Sequence, residues 1–188
     1  MKLYIKLFVE PKYLRRKAIA KNKKFYSLSQ ILLHWSIALL VFYQLVNTND
    51  IQNAYQIFLA TGDWPNELSN NTLLHIIIGF FILFCMIIRL FLRVKLKVPP
   101  LPSQIPRPLK LLAKSSHFSI YFFLFLMPIT GIISWFFEVE FSKVLHTYSS
   151  KILVALILFH IIATLFHEGV LGNNILQRMF QHKDNLRR

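Results

Sequence analysis

Long apolar runs, separated by polar or proline-rich segments, organise this chain, and none shows a sustained two-residue alternation. Four of them are long enough to cross a hydrocarbon layer about 30 Å thick, which takes roughly 20 helical residues. They cover about residues 30–48 (QILLHWSIALLVFYQLVNT), 73–93 (LLHIIIGFFILFCMIIRLFLR), 114–137 (KSSHFSIYFFLFLMPITGIISWFF) and 147–168 (TYSSKILVALILFHIIATLFHE). Residues 49–71 and 94–113 read as polar and proline-rich connections, and 138–146 (EVEFSKVLH) as a short one. So short a link predicts that the third and fourth spans are antiparallel neighbours. A transmembrane barrel needs alternation, so the pattern predicts an all-α fold, an integral membrane four-helix bundle.

Composition agrees and charge adds direction. The chain has 188 residues, 55% of them hydrophobic, with a mean hydropathy of +0.47 and a formal net charge of +14. Lysine and arginine gather before the first span (Lys2 to Lys24), around the second connection (Arg93, Lys95, Lys97, Arg107, Lys110, Lys114) and at the end (Arg178, Lys183, Arg187, Arg188). The first connection has none, and only Lys143 and Lys151 fall on the other side. The positive-inside rule therefore puts both termini in the cytoplasm. Charge spread over three segments of one membrane face is topogenic and does not mark a nucleic-acid surface.

This gives a basic N-terminal extension over 1–25, a four-helix domain over 26–182 and a basic tail over 183–188. Within the extension, LYIKLFV is short, broken by Lys6 and followed by no small-residue cleavage site. An amphipathic segment lying on the inner leaflet is expected there, without cleavage. The single cysteine, Cys85, and the lack of Cys-x-x-Cys-His leave no disulfide framework and no covalent c-type haem.

Histidine changes the picture most. All but His182 lie within or at the ends of the spans, where an imidazole defaults to a functional group with a partner. With the topology set, His34 and His160 sit toward the cytoplasmic side, and His75 and His146 toward the opposite side. His146 and His160 are fourteen residues apart, roughly 21 Å of rise and close to four turns, so both point to one face. That face looks into the bundle, because imidazoles facing lipid would go unsatisfied. Two pairs in two layers suit two bis-histidine haems. A zinc site would gather its ligands at one depth with carboxylates, which are missing there. Interhelical hydrogen bonding and a proton relay stand as alternatives, the latter with only Glu168 nearby.

YSLSQILLHW (26–35), the second span with its His-x-x-x-Gly and Arg-Leu-x-x-Arg, the Met-Pro-x-Thr-Gly of the third and the paired histidines of the fourth together resemble the bacterial cytochrome b561 family. The resemblance covers about residues 25 to 182. It implies a multi-pass protein of the bacterial inner membrane with two haem b groups, His34 with His160 on the cytoplasmic side and His75 with His146 on the periplasmic side. It also implies electron exchange between the ubiquinone pool and a second partner, with superoxide oxidation coupled to ubiquinone reduction as one activity.

The other chemistry-bearing residues have two readings each. Arg89 lies on roughly the face of His75 and would meet a haem propionate, or else snorkel to the headgroups. Gly79 leaves room for a porphyrin or for a neighbouring helix. Pro128 with Gly131 bends the third span. His117 and His167 are candidates for a quinone carbonyl or its proton, or interfacial residues without chemistry. Lys151, just over one turn beyond His146, is a candidate contact for an anion. The outer segments as a whole carry Asp50, Asp63, Glu67, Glu138 and Glu140, which favours a cationic partner such as a basic periplasmic cytochrome over superoxide. Whether the chain is itself an oxidoreductase or a non-enzymatic haem-bound anchor for a dehydrogenase or hydrogenase is not decided by these residues. A channel or transporter is disfavoured, since no span is broken and no internal repeat appears.

Overall fold

The computed structural model of the protein describes residues 25–102, 105–172 and 175–181; the N-terminal amphipathic segment and the basic tail with His182 lie outside the described residues. Five α-helices follow in order: α1 (Leu28–Val46), α2 (Asn49–Thr61), α3 (Asn70–Leu96), α4 (Arg107–Phe137) and α5 (Glu140–Gly169), then a short 3-10 turn at Gln177–Met179. No strand occurs among the described residues. All but α2 are long and apolar enough to cross a membrane. At 1.5 Å per residue, α3, α4 and α5 extend roughly 40 to 47 Å, so their ends project beyond the hydrocarbon.

Three of these elements differ from the expectation, and one is α4, which begins at Arg107 inside the segment 94–113 that was expected to be a connection. Residues 49–71 were expected to connect two spans, yet Asn49–Thr61 is helical. Its apolar residues Ile51, Ala54, Tyr55 and Phe58 recur at helical spacing, and Ala54 and Tyr55 are buried against the bundle. Gly62 closes it in the left-handed conformation (φ 79°), its N–H donating to the Phe58 carbonyl at 2.8 Å. The third connection shrinks to Glu138 and Val139, because α5 begins at Glu140 instead of 147. Ser142 Oγ donates to the Thr130 carbonyl of α4 at 2.9 Å, which ties this added stretch of helix to its neighbour. His146 consequently stands nearly two turns inside α5 rather than at its start.

The ends of the helices are held by specific bonds. Ser27 and Gln30 form a capping box at α1, the serine side chain accepting from the Gln30 N–H and the glutamine side chain from the Ser27 N–H. Ser69 caps α3, and its hydroxyl also donates to Asp50 at 2.7 Å, so one carboxylate joins the starts of α2 and α3. Trp64, stacked on Phe58 (4.4 Å) and packed on Trp135 of α4 (4.0 Å), pins α2 across the end of the bundle.

Packing runs α1 on α3, α3 on α4 and α4 on α5, with α2 on α3. At mid-depth Ile37 and Val41, Ile82, Cys85 and Met86, Leu124 and Leu153 form one core with a member from each spanning helix. That core is narrow. Leu33, Leu45 and Phe123 pack on its edge, while Leu39, Phe42, Phe84 and Leu158 are exposed, as lipid requires. By contrast, α3 and α5 barely approach each other, and neither do α1 and α5. The helices that carry the paired histidines stand apart.

At the other end Trp35 Nε1 donates to the Met179 carbonyl at 3.0 Å and its ring packs on Phe180 at 4.9 Å. Arg178 donates to the Pro100 carbonyl, and Glu168 accepts from the Leu176 N–H. The segment after α5 is thus strapped to α1 and to the α3–α4 connection. Trp35→Phe keeps an aromatic ring but removes the N–H donor, at about 0.5–1.5 kcal/mol for one hydrogen bond. Limited proteolysis of the variant should cut beyond residue 170 several-fold faster than in the parent, with the four spans intact.

Candidate functional site

The outer site begins with a backbone feature of α4. In the Met-Pro-x-Thr-Gly stretch Pro128 has no N–H, so the carbonyl it leaves without a helical donor is that of Leu124, four residues before it. The Met127 carbonyl there accepts from His146 Nδ1 at 2.9 Å, and also from Thr130 Oγ1 at 3.0 Å. Thr130 Oγ1 lies 3.2 Å from the same imidazole nitrogen. A carbonyl can only accept, so His146 Nδ1 carries the proton and Nε2 keeps a free lone pair. This is the tautomer an imidazole adopts as a metal ligand, with the other nitrogen anchored to a backbone carbonyl.

Across the gap from α5, the His75 ring faces that of His146 with centroids 6.5 Å apart and planes at 62°. A metal–imidazole bond of about 2.0–2.1 Å on each side, added to the rings' own half-widths, spans roughly 6–6.5 Å. The α1 residue Gln44 fixes the α3 backbone by donating from Nε2 to the His75 carbonyl at 2.7 Å. Gln44 Oε1 and His75 Nδ1 are buried with no hydrogen-bond partner among the described residues, although the Asn47 backbone lies near enough to act on the imidazole electrostatically. Buried polar atoms of this kind mark a place where something else binds.

Around the two rings lies a cavity of about 550 Å³, within the range of cofactor sites. Its walls are mostly apolar, and α2 covers it with Ile51, Gln52 and Tyr55. Gly79 lines it too, where an added Cβ would lie 3.7 Å from Gln44 Nε2, an ordinary contact. Gly131 is tighter, since a Cβ there would come 3.2 Å from His146 Cε1 and 3.3 Å from Nδ1. Facing histidines, the tautomer and the cavity together fit a haem held between His75 and His146.

The inner cluster is arranged differently. Arg89 Nε donates to the Tyr121 hydroxyl at 2.9 Å, Nη1 to the Gln30 carbonyl at 3.5 Å, and Nη2 lies 3.1 Å from His34 Nδ1. The guanidinium therefore points inside the bundle and not to the headgroups. It has no acceptor atom, so His34 Nδ1 accepts from it. His160 pairs edge-on with His117 at 5.1 Å, and His117 Nδ1 donates to the Ala113 carbonyl at 2.6 Å. His34, Arg89, His117 and His160 thus form one group. His34 can ligate through Nε2 only with its proton on Nδ1, which requires Arg89 to release it; a haem propionate is an acceptor that could take the guanidinium. Tyr26 lies close to Arg93, Arg89 and Arg178, yet burial pushes its phenol up, so it supplies no negative charge to them.

His167 stands elsewhere, 6.4 Å from Phe166, and Glu168 is engaged by the Leu176 N–H. Lys151 lines the cavity mouth but is exposed, its ammonium 5.4 Å from the ring of Tyr148, itself 61% exposed. The residues that sequence reasoning missed are Gln44, Thr130, Ser142 and the Met127 carbonyl, and it took Gly131 for a bend. For Met127, Thr130 and Gly131 the signal was the Met-Pro-x-Thr-Gly motif, but a backbone acceptor has no side chain to be noticed, and Gln44 and Ser142 stand outside any motif.

The two glycines separate the site's tolerances. Gly131→Ala forces a methyl against the His146 ring, an overpacking of about 1–3 kcal/mol, whereas Gly79→Ala meets only van der Waals contact. Spectroscopic haem titration of the purified variants should show Gly131→Ala binding haem roughly tenfold more weakly in its outer site, with Gly79→Ala close to the parent.

Residues 26–182 match the family described as prokaryotic cytochrome b561. The chain is also similar to a protein named cytochrome b562 from Cereibacter sphaeroides, 26% identical over 156 residues that make up 83% of this chain and 95% of that relative. With four membrane-crossing helices, facing histidines and a match over most of its length, the chain belongs to the prokaryotic cytochrome b561 family, whose members carry electrons across the membrane through haem b.

Proposed function

We propose that this chain is a di-haem conduit in the bacterial inner membrane, exchanging electrons between the ubiquinone pool and a partner on the periplasmic side. The observation that carries the reading is the way each pair, His75 with His146 and His34 with His160, comes from two helices whose backbones approach closely at few positions. A plate-shaped cofactor needs such a gap, and the narrow core at mid-depth separates the two places. Both termini are cytoplasmic by the distribution of lysine and arginine.

Bound haem with two histidine ligands would supply one-electron exchange at its edge and no open position for a substrate. The chain's residues set the conditions for it. Met127 and Thr130 hold the His146 ring and its tautomer, Gln44 steadies the turn that bears His75, and α2 shields the outer cavity from water. Arg89 answers a propionate at the inner site. Quinone chemistry moves protons as well as electrons, and His117, beside His160, and His167, nearer the surface, are the residues to hold or deliver one. The second partner is superoxide or a redox protein, and the acidic residues of the outer segments favour a cationic protein.

Purified protein should contain two haem b per chain, and His146→Ala and His160→Ala should each retain one, with distinct remaining midpoints. A single haem per wild-type chain overturns the di-haem reading. Stopped-flow mixing of the oxidised protein with ubiquinol, superoxide or a reduced basic cytochrome should then give reduction by at least one of them. If none reduces the isolated chain, it is not a self-contained oxidoreductase, and an anchor subunit for a dehydrogenase becomes the better reading.

A further inference from the structure

The outer surface and the outer cavity differ in charge. Asp63, Glu67, Glu138 and Glu140 are exposed at that end, and Asp50 is engaged by Ser69 and Asn71. Inside the cavity there is no carboxylate at all, and its charged lining residues are Lys143 and Lys151. Neither lysine has a carboxylate partner among the described residues.

These two lysines are not equivalent. Both belong to α5, on either side of His146, but their ammonium groups go to different surroundings. Lys151 is exposed and rests by Tyr148, a ring on the outside of the bundle, so it turns toward the lipid boundary. Lys143 is half-buried, stands one turn outward from His146, and lies 2.7 Å from the centroid of Tyr55. Tyr55 is a cavity wall and only 9% exposed. A cation–π contact is attractive where water has been lost, yet it supplies no acceptor for the three N–H donors of an ammonium. A half-buried cation beside an aromatic ring and without a counter-charge is better satisfied when an anion completes it.

We propose that Lys143, and not Lys151, is the counter-ion to a carboxylate of the group held in the outer cavity, a haem propionate, and that Tyr55 of the lid helix α2 holds the ammonium in place. This rests on the outer-haem reading above. Haem b brings two propionates, and the wall residue nearest His146 on the outward side with a free positive charge is Lys143. The same contact gives α2 a second task besides covering the cavity, because the ring that receives Lys143 is carried by that helix. A positive charge beside the propionate favours the reduced, less positive iron, so removing it makes the outer haem harder to reduce.

The test is a redox titration of the purified holoprotein, following the outer-haem b band, in the wild type and in Lys143→Gln, Lys143→Arg and Lys151→Gln. Lys143→Gln should lower the outer midpoint by the equivalent of a roughly tenfold change in the reduction equilibrium, about 59 mV for one electron. Lys143→Arg should stay close to the parent, Lys151→Gln should not shift it, and the inner haem should not move in any of them. If Lys143→Gln loses the outer haem outright, restoration of haem by Lys143→Arg supports the assignment, and failure to restore it overturns it. An unchanged outer midpoint in Lys143→Gln, or an equal shift in Lys151→Gln, also overturns it. A wild type that lacks an outer haem contradicts the di-haem reading itself, a different outcome from an outer haem indifferent to Lys143.

Discussion

Hydrocarbon offers an imidazole no hydrogen-bond partner, and this constraint orders the rest of the molecule. Each histidine placed within the spans has to look inward, and once inside it needs an acceptor for its N–H and something for its lone pair. For His146 the acceptor is the Met127 carbonyl of α4. The lone pair is left for a metal.

Spacing between helices follows from the same demand. A bundle that only buried apolar surface would bring all neighbours together, but here α5 keeps its distance from α1 and α3 while packing tightly on α4. The two-residue link at Glu138 and Val139 and the Ser142 bond to Thr130 secure α4 to α5, so the gap opens elsewhere. At the inner end Arg89 ties α3 to its packed neighbours, through Tyr121 of α4 and through His34 and Gln30 of α1. At the outer end the gap is a cavity roofed by α2, whose own hold depends on the Trp64–Trp135 contact and on Asp50.

Electrostatics separates by scale in the same region. Summed over the outer segments, acidic residues prevail, and at the distance of a diffusing protein that sum is what counts. Within the cavity wall the sign reverses, and at a few ångströms in a medium poor in water the nearest charge prevails. An approaching cationic partner and an enclosed carboxylate are thus compatible demands on one end of the bundle. They act through different residues.

The sequence by itself determined the four apolar spans and the family, because hydrophobic run length and helical periodicity are local properties that lipid enforces strongly. Helix α2 was also legible in the spacing of Ile51, Ala54, Tyr55 and Phe58, though polar neighbours and the following Gly62 made the stretch resemble a loop. Only the tertiary structure decided that the Met127 carbonyl meets His146, that Gly131 makes room for that ring, that Arg89 turns inward and that Lys143 rests on Tyr55 while Lys151 rests by the exposed Tyr148. Those outcomes depend on which helices approach and which stand apart, and on backbone atoms that every residue possesses. A one-dimensional pattern of side chains does not distinguish them.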